Sequence, residues 1–465
     1  MHKIVKKALT VVCLMSLLTG FAACQNKEKE TEKKVTPTVE ATKAPEATKK
    51  PTLTPIPTVT KAPKVTKAPE ATKAPEETES AEAFVALKDV AAEHGFSFGT
   101  VASAYSGHDL NYMMALMDDF NSVTAANEMK AYSMLDQKAS QWREDGMPAI
   151  DFTQGDNIVS MAEVLGIGVR GHVLVWDAYM CDWFFREGYT DNGPYVDRET
   201  MLKRLQYYIE TVMTHFETEF PGVVYCWDVV NEAVGDSPSD SDTSDSRHIR
   251  TLRGAVKNPF YNVIGDDYVE ISFLYAANTV AKLKKANPEV SIQLFYNDYN
   301  TFIPDKRDAI CELVKSINHY AKDANGNYRK LCEGVGMQSY IGGYGVQEGC
   351  MSAADIGRIR TAVEMFSDLG VDVHITEMAV RNYDETLMDQ HAEFYGRLFD
   401  MFVELNRDKT RITNISIWGL NDAPWMDESN GNYKQNSPYC GLYDEDYKRK
   451  DAYYKVLEAM QKETE

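Results

Sequence analysis

The feature that most constrains the fold is an alternation of strand-like and helix-like segments, repeated eight times between residues 85 and 465. The strand-like runs are short and apolar, as expected for strands buried on both faces of a parallel sheet. Helical patterns lie between them, for example over 198–219 and over 268–286, where Asn287-Pro288 ends the pattern. The alternation predicts an α/β protein, a (β/α)8 TIM barrel. Its expected strands are 96–101, 122–125, 168–175, 223–230, 291–297, 334–340, 371–376 and 412–418.

Two of the expected strands end on a glutamate. The run Val223–Val230 leads into Asn231 and Glu232, and the run Val371–Thr376 leads into Glu377. The carboxyl ends of barrel strands carry the active site, so both glutamates are expected at one rim. Two carboxylates are the minimal apparatus of glycoside hydrolysis, one protonating the leaving oxygen and the other attacking carbon or activating water. Taken alone, Glu232 also fits a helix N-terminal acid stabilised by the helix dipole.

Several further segments match the motifs of one enzyme family in the same order. They read FNSVTAANEMK, RGHVLVWDAYMCDWFF, WDVVNEA, LFYNDYN, GVGMQSY, ITEM and ISIWGLND. Over about residues 85–457 the chain resembles the family-10 endo-β-1,4-xylanases. The resemblance implies a single barrel domain that hydrolyses β-1,4-xylosidic bonds with retention of configuration and needs no cofactor and no metal. Xylan or xylo-oligosaccharides would be its substrates.

The resemblance assigns roles to three residues at the centre of the site. Glu232 matches the general acid/base, Glu377 the nucleophile, and Asn231 the residue that grips the 2-hydroxyl of the reacting sugar. To protonate a leaving oxygen near neutral pH, Glu232 needs a raised pKa. Apolar walls and the negative charge of Glu377 are expected to supply it.

By the same resemblance, sugar-binding side chains line the rest of the rim. Asn127 and Lys130 are expected to hold sugar hydroxyls on the non-reducing side, and His172 to bind the reacting sugar. Trp176 is expected to form the wall of the pocket and Trp418 its floor, because flat apolar rings suit a pyranose face. The remaining expected substrate-binding residues are Gln338, Tyr340 and Trp425.

The chain departs from the family pattern at four site positions. Ala126 and Asp177 stand where the family has Glu and His, and Tyr340 and Ala379 where it has His and Asp. A phenol can donate a hydrogen bond to Glu377, but it stays neutral far above neutral pH. We therefore expect an active enzyme with a shifted pH profile. The open alternatives are another β-1,4-glycanase or xylosidase of the same barrel clan, and a non-catalytic xylan-binding lipoprotein.

The first residues form a targeting segment. Residues 1–23 have a basic head, an apolar core too short to span a bilayer, and small residues before Cys24. The sequence FAAC resembles a lipoprotein signal, which implies lipidation at Cys24 and a membrane anchor that holds the protein at the cell surface. The alternative is cleavage by ordinary signal peptidase and full secretion.

Residues 24–81 differ sharply from the rest of the chain. Lys, Thr, Pro, Glu and Ala dominate, TKAP occurs four times, and no aromatic residue is present. Such a segment cannot bury enough apolar surface to fold, so we expect a disordered, partly extended spacer. The catalytic domain is expected over residues 84–465.

Charge and cysteines narrow the possible partners. The chain has a net charge of −21, and residues 81–465 carry 61 acidic against 35 Lys and Arg residues. An acidic domain argues against nucleic-acid binding, and we expect a monomer. The cysteines after Cys24 show no zinc-site spacing. An exported protein permits disulfides, although the buried-strand position of Cys226 favours a packed thiol.

One loop of the expected domain is strongly acidic. Residues Gly235–His248 read GDSPSDSDTSDSRH, which predicts a flexible, solvated rim. The alternative is a calcium site, although the Asp spacing fits no EF-hand loop.

Overall fold

The structure is a computed structural model that describes residues 84–341, 351, 353–409, 411–422, 426–427, 432–433 and 439–462. The expected signal segment 1–23, the lipidation site Cys24 and the linker to residue 81 lie outside the described residues, as does Trp425. None of the helices in the described ranges has the length and apolar character that a membrane span needs.

The centre of the fold is a closed barrel of eight parallel strands. Each strand pairs with the next in chain order, and β8 closes the ring by pairing with β1, with Ser97 opposite Asn414 and Thr100 opposite Ile417. This closure confirms the expected (β/α)8 TIM barrel. The strands are β1 Ser97–Ala102, β2 Ser122–Ala125, β3 Gly168–Gly171, β4 Val224–Asn231, β5 Gln293–Asp298, β6 Gly334–Met337, β7 Asp372–Val380 and β8 Ile412–Ile417.

One long helix follows each strand. These helices are α1 Leu110–Asp119, α2 Thr153–Leu165, α3 Arg198–Glu219, α4 Tyr268–Ala286, α5 Pro304–His319, α6 Ala353–Asp368, α7 Met388–Arg407 and α8 Asp451–Gln461. The side chain of Asp197 caps α3 by accepting a hydrogen bond from the Thr200 amide over 2.7 Å. Helix α4 ends before Asn287-Pro288, because proline cannot continue the helix. Helices α3 and α4 have the bounds that the sequence predicts.

Shorter elements lie mostly in the loops. Short α-helices span Leu87–Glu93, Ala131–Met134, Gln137–Gln141 and Pro259–Val263. Turns of 3-10 helix span Ser106–His108, Asp177–Tyr179, Asp182–Phe185, Glu187–Tyr189 and Glu385–Leu387. Two-residue strands pair Leu135–Asp136 with Ala149–Ile150, Leu252–Arg253 with Val256–Lys257, and Met426–Asp427 with Asn432–Tyr433. A further two-residue strand, Tyr340–Ile341, lies beside β7.

Two strands, β3 and β6, end three or more residues earlier than the sequence predicts. Strand β3 ends at Gly171, and beyond it Val175 makes only an isolated bridge to Val230. The run 334–340 is interrupted after Met337, because Ser339 adopts a left-handed φ of 57° that turns the chain. After this turn Tyr340 pairs with β7. The break therefore places Tyr340 at the rim.

A buried polar network crosses the barrel below the rim. Arg170 donates two hydrogen bonds to Asp228, over 3.0 and 2.7 Å, and one to Nδ1 of His374 over 3.0 Å. Burial, together with the charge of Arg170, lowers the pKa of His374 well below its ordinary value, so the ring is a neutral acceptor. Asp228 also accepts from Nδ1 of His172 over 2.9 Å. The network thus fixes the His172 ring from below.

Candidate active site

Glu232 follows β4 directly at the carboxyl-terminal rim of the barrel. Its φ is 55°, and its amide donates to the carbonyl of Asn297 over 2.9 Å, which turns the side chain inward. Oε1 accepts a hydrogen bond from Nε2 of Gln338 over 3.1 Å. Oε2 accepts from Nε1 of Trp176 over 3.2 Å and from Nη1 of Arg253 over 2.8 Å. Both oxygens of this carboxylate therefore have fixed donors.

The surroundings of Glu232 shift its acidity in the direction that a general acid needs. Burial raises the pKa of Glu232 above its ordinary value, and the negative charges of Asp298 and Glu377 add to this effect. The positive charge of Arg253 opposes burial and lowers the pKa, as does the hydrogen bond from Gln338. The net shift is upward, as expected from the sequence.

Glu377 lies in β7, and its side chain is held at both oxygens. Oε1 accepts from Nδ2 of Asn297 over 3.2 Å, and Oε2 accepts from the Tyr340 hydroxyl over 2.5 Å. The guanidinium of Arg381 lies 4.7 Å from the centre of the Tyr340 ring, which is cation–π distance. The Tyr340 phenol therefore donates the hydrogen bond to Glu377 that the sequence analysis expects of it.

Two amide side chains connect the glutamates. Nδ2 of Asn297 donates to Oδ1 of Asn231 over 2.9 Å as well as to Glu377. Gln338 donates to the same Asn231 oxygen over 3.3 Å and also to Glu232. Thr376 donates to Oδ1 of Asn297 over 2.7 Å, which fixes the orientation of that amide. Asn231, Glu232, Gln338 and Glu377 are thus brought together in one hydrogen-bonded cluster.

Nδ2 of Asn231 is the unused donor of this cluster. It is buried and has no acceptor within the part of the chain that the structure describes. A buried donor without a partner costs about 1–3 kcal/mol, so a hydroxyl oxygen placed there would be bound favourably.

A second group of the expected residues forms a cationic and aromatic corner. Nζ of Lys130 donates to Oδ1 of Asn127 over 3.0 Å and lies 5.1 Å from the centre of the Trp176 ring. The ring of Tyr179 lies 4.4 Å from that of Trp176 and 4.5 Å from the Lys130 ammonium. Tyr179 is not predicted from the sequence, because nothing in its spacing distinguishes it from a surface tyrosine. His172 lies beside this corner, 5.8 Å from Trp176 between ring centres.

Glu128 does not take the position left by Ala126. Its carboxylate accepts hydrogen bonds from the amides of Ala104, over 2.6 Å, and of Asn127, over 2.9 Å. Glu128 therefore supports the loop that carries Asn127.

Trp418 follows β8 at the rim, is partly buried, and its amide donates to the carbonyl of Met378 over 2.9 Å.

Arg253 is a charged residue of the site that the sequence motifs do not indicate. Besides Glu232 it contacts Asp177, donating from Nε over 3.1 Å and from Nη2 over 2.7 Å. Asp177 is one of the departures from the family pattern, and Arg253 is its ion-pair partner. The only sequence signal was the unexplained Asp177 itself, since Arg253 lies in a loop without periodicity.

Arg250 anchors the first part of the acidic loop 235–248, for which the sequence predicts a flexible, solvated rim. Arg250 donates to the carbonyl of Glu232 over 3.1 Å and pairs with Asp236 and Asp240, each over 3.0 Å.

No group of three or more His, Cys, Asp or Glu side chains suited to a metal occurs among the described residues. The cysteines in the described ranges, Cys181, Cys226, Cys311, Cys332 and Cys440, are all free thiols. Cys350 lies outside those ranges.

The comparison with known protein families assigns the domain. The family model for glycosyl hydrolase family 10 matches residues 86–459. The chain belongs to glycosyl hydrolase family 10. The two rim glutamates, their amide cluster and the aromatic corner are therefore parts of a glycoside hydrolase domain.

Named relatives of this family-10 domain include bacterial xylanases. The chain is 33% identical to endo-1,4-beta-xylanase B of Butyrivibrio fibrisolvens, over 79% of this chain and 52% of the relative. It is 32% identical to endo-1,4-beta-xylanase A of Thermotoga neapolitana, over 81% of this chain and 31% of the relative. The chain thus spans about half or less of the length of these two relatives.

A solved structure shares the fold. The N-terminal endo-1,4-beta-D-xylanase 10B of Clostridium thermocellum, solved as its CBM22-1 and GH10 modules in complex with xylohexaose, superposes with a TM-score of 0.66. The two chains are 27% identical, and the match covers 80% of this chain and 67% of that chain.

Proposed function

We propose that this protein is a retaining endo-1,4-β-xylanase that cleaves xylan and xylo-oligosaccharides. In the first step Glu377 attacks the anomeric carbon, the glycosidic bond breaks, and Glu232 gives its proton to the leaving oxygen. In the second step Glu232 takes a proton from water, the water oxygen bonds to the anomeric carbon, and Glu377 is released. The proton count is restored after each turnover.

The observation that carries this proposal is the cluster linking the two glutamates. Hydrogen bonds through the side chains of Gln338, Asn231 and Asn297 join Glu232 to Glu377. Direct attack by the second carboxylate needs the two carboxyl groups about 5–5.5 Å apart. We expect that spacing for this pair, because the charge of Glu377 acts on the Glu232 carboxyl. The raised pKa of Glu232 supports its role as the acid, because a protonated carboxyl is needed at the working pH.

Xylan as the substrate is supported by the names of the relatives and by the corner beside Glu232. Lys130, Asn127 and His172 present polar groups next to the Trp176 and Tyr179 rings. Sugar rings bind by stacking an apolar face on such aromatics while their hydroxyls bind nearby polar groups. We further propose that Trp418 and Trp425 contribute to the same pocket.

The test is release of reducing sugar by the full chain from xylan, cellulose and mannan. We expect release from xylan alone, and a loss of at least about a hundredfold in both Glu232→Gln and Glu377→Gln. Early products longer than two sugars would identify endo-cleavage, and proton NMR should show the β-anomer first. Binding to xylan without hydrolysis would instead make the protein a binding lipoprotein, and release of single xylose units would make it a xylosidase.

We also propose that Cys24 anchors the protein to the membrane, with residues 24–81 as a spacer and the monomeric domain at the cell surface. The FAAC sequence and the Pro/Thr/Lys-rich composition support this arrangement. Incorporation of labelled palmitate into the wild type, and its absence in Cys24→Ala, would test the anchor. Light scattering of the purified protein would test the monomer.

A further inference from the structure

Arg253 lies between two carboxylates on the acid/base side of the site. Nη1 contacts Oε2 of Glu232 over 2.8 Å, while Nε and Nη2 contact the two oxygens of Asp177 over 3.1 and 2.7 Å. The side chain of Asp177 is 4% exposed and that of Arg253 is 28% exposed. All three guanidinium nitrogens are engaged, so the two acids hold the cation in one orientation.

The donors around Glu232 distinguish its two oxygens. Oε2 accepts from a cation, Arg253, and from the Trp176 indole, whereas the one donor to Oε1 among the described residues is the neutral amide of Gln338. A proton on Oε2 would face two N–H donors and a positive charge. Oε1 keeps a free lone pair, because a carboxylate oxygen can carry a proton and still accept one hydrogen bond. The acid proton therefore belongs on Oε1.

Asp177 controls how much of the arginine charge Glu232 experiences. A cation at hydrogen-bond distance favours the ionised carboxylate, which is the wrong form for a general acid. The bidentate Asp177 offsets that charge, because its own negative charge lies against the same guanidinium. Among the described residues, the other ionisable groups that face this cluster are His172, Arg250, Tyr268, Asp298, Lys306, which pairs with Asp298, and Glu377.

We propose that Arg253 and Asp177 form a positioning pair, which directs the acid proton of Glu232 to Oε1 and sets the alkaline limit of activity. This inference rests on the proposed function, in which Glu232 must be protonated when the glycosidic bond breaks. A simpler role for the pair is to fix the hairpin 252–257 beside Glu232. That structural role would lower activity equally at every pH.

The pH dependence of kcat/KM on xylan separates the two roles. In Arg253→Gln, loss of the cation raises the pKa of Glu232, so the alkaline limb should move up by about one pH unit. In Asp177→Asn, the arginine charge is no longer offset, so the limb should move down by about one unit. The double variant removes one charge of each sign, and its limb should return close to the wild-type position.

A matched control removes a similar ion pair elsewhere. Arg198 donates two hydrogen bonds to Asp267 over 2.8 and 2.7 Å, as Arg253 does to Asp177, and its side chain is 45% exposed. Arg198→Gln makes the same change in net charge without touching Glu232. We expect it to leave the alkaline limb in place.

The proposal is overturned if both single variants move the limb in the same direction, or if neither moves it while activity falls. A carbon-13 NMR titration of glutamate carboxyls, assigned with Glu232→Gln, reads the same shifts in the full chain without turnover. If the wild type does not hydrolyse xylan, the proposed function fails, and this titration still decides whether Arg253 and Asp177 set the protonation of Glu232.

Discussion

Tyr340 and Ala379 lie directly opposite each other in the parallel pairing of the strand 340–341 with β7. Ala379 carries only a methyl group, the Tyr340 hydroxyl reaches Oε2 of Glu377, and the Arg381 guanidinium lies over the phenol ring. The family pattern has a His and an Asp at these two positions. The two departures are therefore one structural change, in which a neutral phenol replaces an ionisable pair beside the nucleophile.

Removing the Tyr340 hydroxyl should weaken catalysis on the acid side. In Tyr340→Phe, ionised Glu377 loses a donor, and a hydrogen bond to a charged group contributes about 1.5–3 kcal/mol. We expect kcat/KM to fall at least about tenfold, with the acid limb moving to higher pH because the charged form is less stabilised. Steady-state kinetics on xylan between pH 4 and 9 would measure both effects. An unchanged acid limb would show that the hydroxyl does not act on Glu377.

Introducing an ionisable partner should have the opposite effect on that limb. In Tyr340→His, an imidazole with an ordinary pKa of about 6.5 becomes cationic in acid and favours the ionised carboxylate. We expect the acid limb to extend to lower pH. The double variant Tyr340→His/Ala379→Asp supplies both members of the family pair. We expect its kcat/KM to exceed the value that the two single variants would give if their effects were independent. A pH profile identical to that of the wild type in Tyr340→His would contradict this account.

A methyl group at Gly336 should displace the amide that connects the glutamates. A Cβ at this position would lie 2.2 Å from Oδ1 of Asn297 and 3.0 Å from Cγ2 of Thr376. We expect Gly336→Ala to lower the free energy of unfolding by about 1–3 kcal/mol and to reduce kcat more than the loss of folded protein explains. The control is Gly357→Ala in helix α6, where a Cβ meets nothing within 4 Å. We expect Gly357→Ala to raise the free energy of unfolding by about 0.5–1 kcal/mol and to leave activity unchanged.

The buried pair below the site should dominate stability in acid. Burial opposes the charge of Asp228, but Arg170 and His172 more than offset it and lower its pKa. The contribution of Asp228 to the free energy of unfolding is therefore fully present above the ordinary aspartate pKa of about 3.9. It is lost as the pH falls through the lowered pKa of the folded protein.

Asp228→Asn leaves the Arg170 charge buried without a partner. We expect a loss of about 3–5 kcal/mol in urea unfolding at pH 7, and a weaker fall of stability below about pH 4 than in the wild type. Asp267→Asn breaks the more exposed pair with Arg198 and should cost only about 0–1 kcal/mol. Equal losses in the two variants would contradict the importance assigned to burial.

The sequence predicted the parts of the site that depend on local pattern. Glu232 and Glu377 each follow an apolar strand run, and parallel strands in a barrel present their carboxyl ends at one rim. Asn127, Lys130 and Trp176 were expected from motif residues, and the structure brings all three together.

The contacts that the sequence could not predict join residues distant along the chain. Asp177 and Arg253 are 76 positions apart, and the arginine lies in a loop whose conformation no periodicity encodes. The opposition of Tyr340 and Ala379 depends on the turn at Ser339, whose left-handed conformation is unusual for serine. Contacts of this kind can be predicted only when the folded positions of the loops that carry the residues are known.

The contacts of Arg250 determine where the acidic loop 235–248 can accept new residues during evolution. Arg250 follows the acidic segment in the chain and holds its beginning, through the Glu232 and Val234 carbonyls and the side chains of Asp236 and Asp240. Residues 243–244, near the middle of the segment, are exposed. Exposed loop tips tolerate insertions best, so new residues can be added there without moving the acid/base. The same clamp makes this tip a suitable place to graft a label or a second binding module.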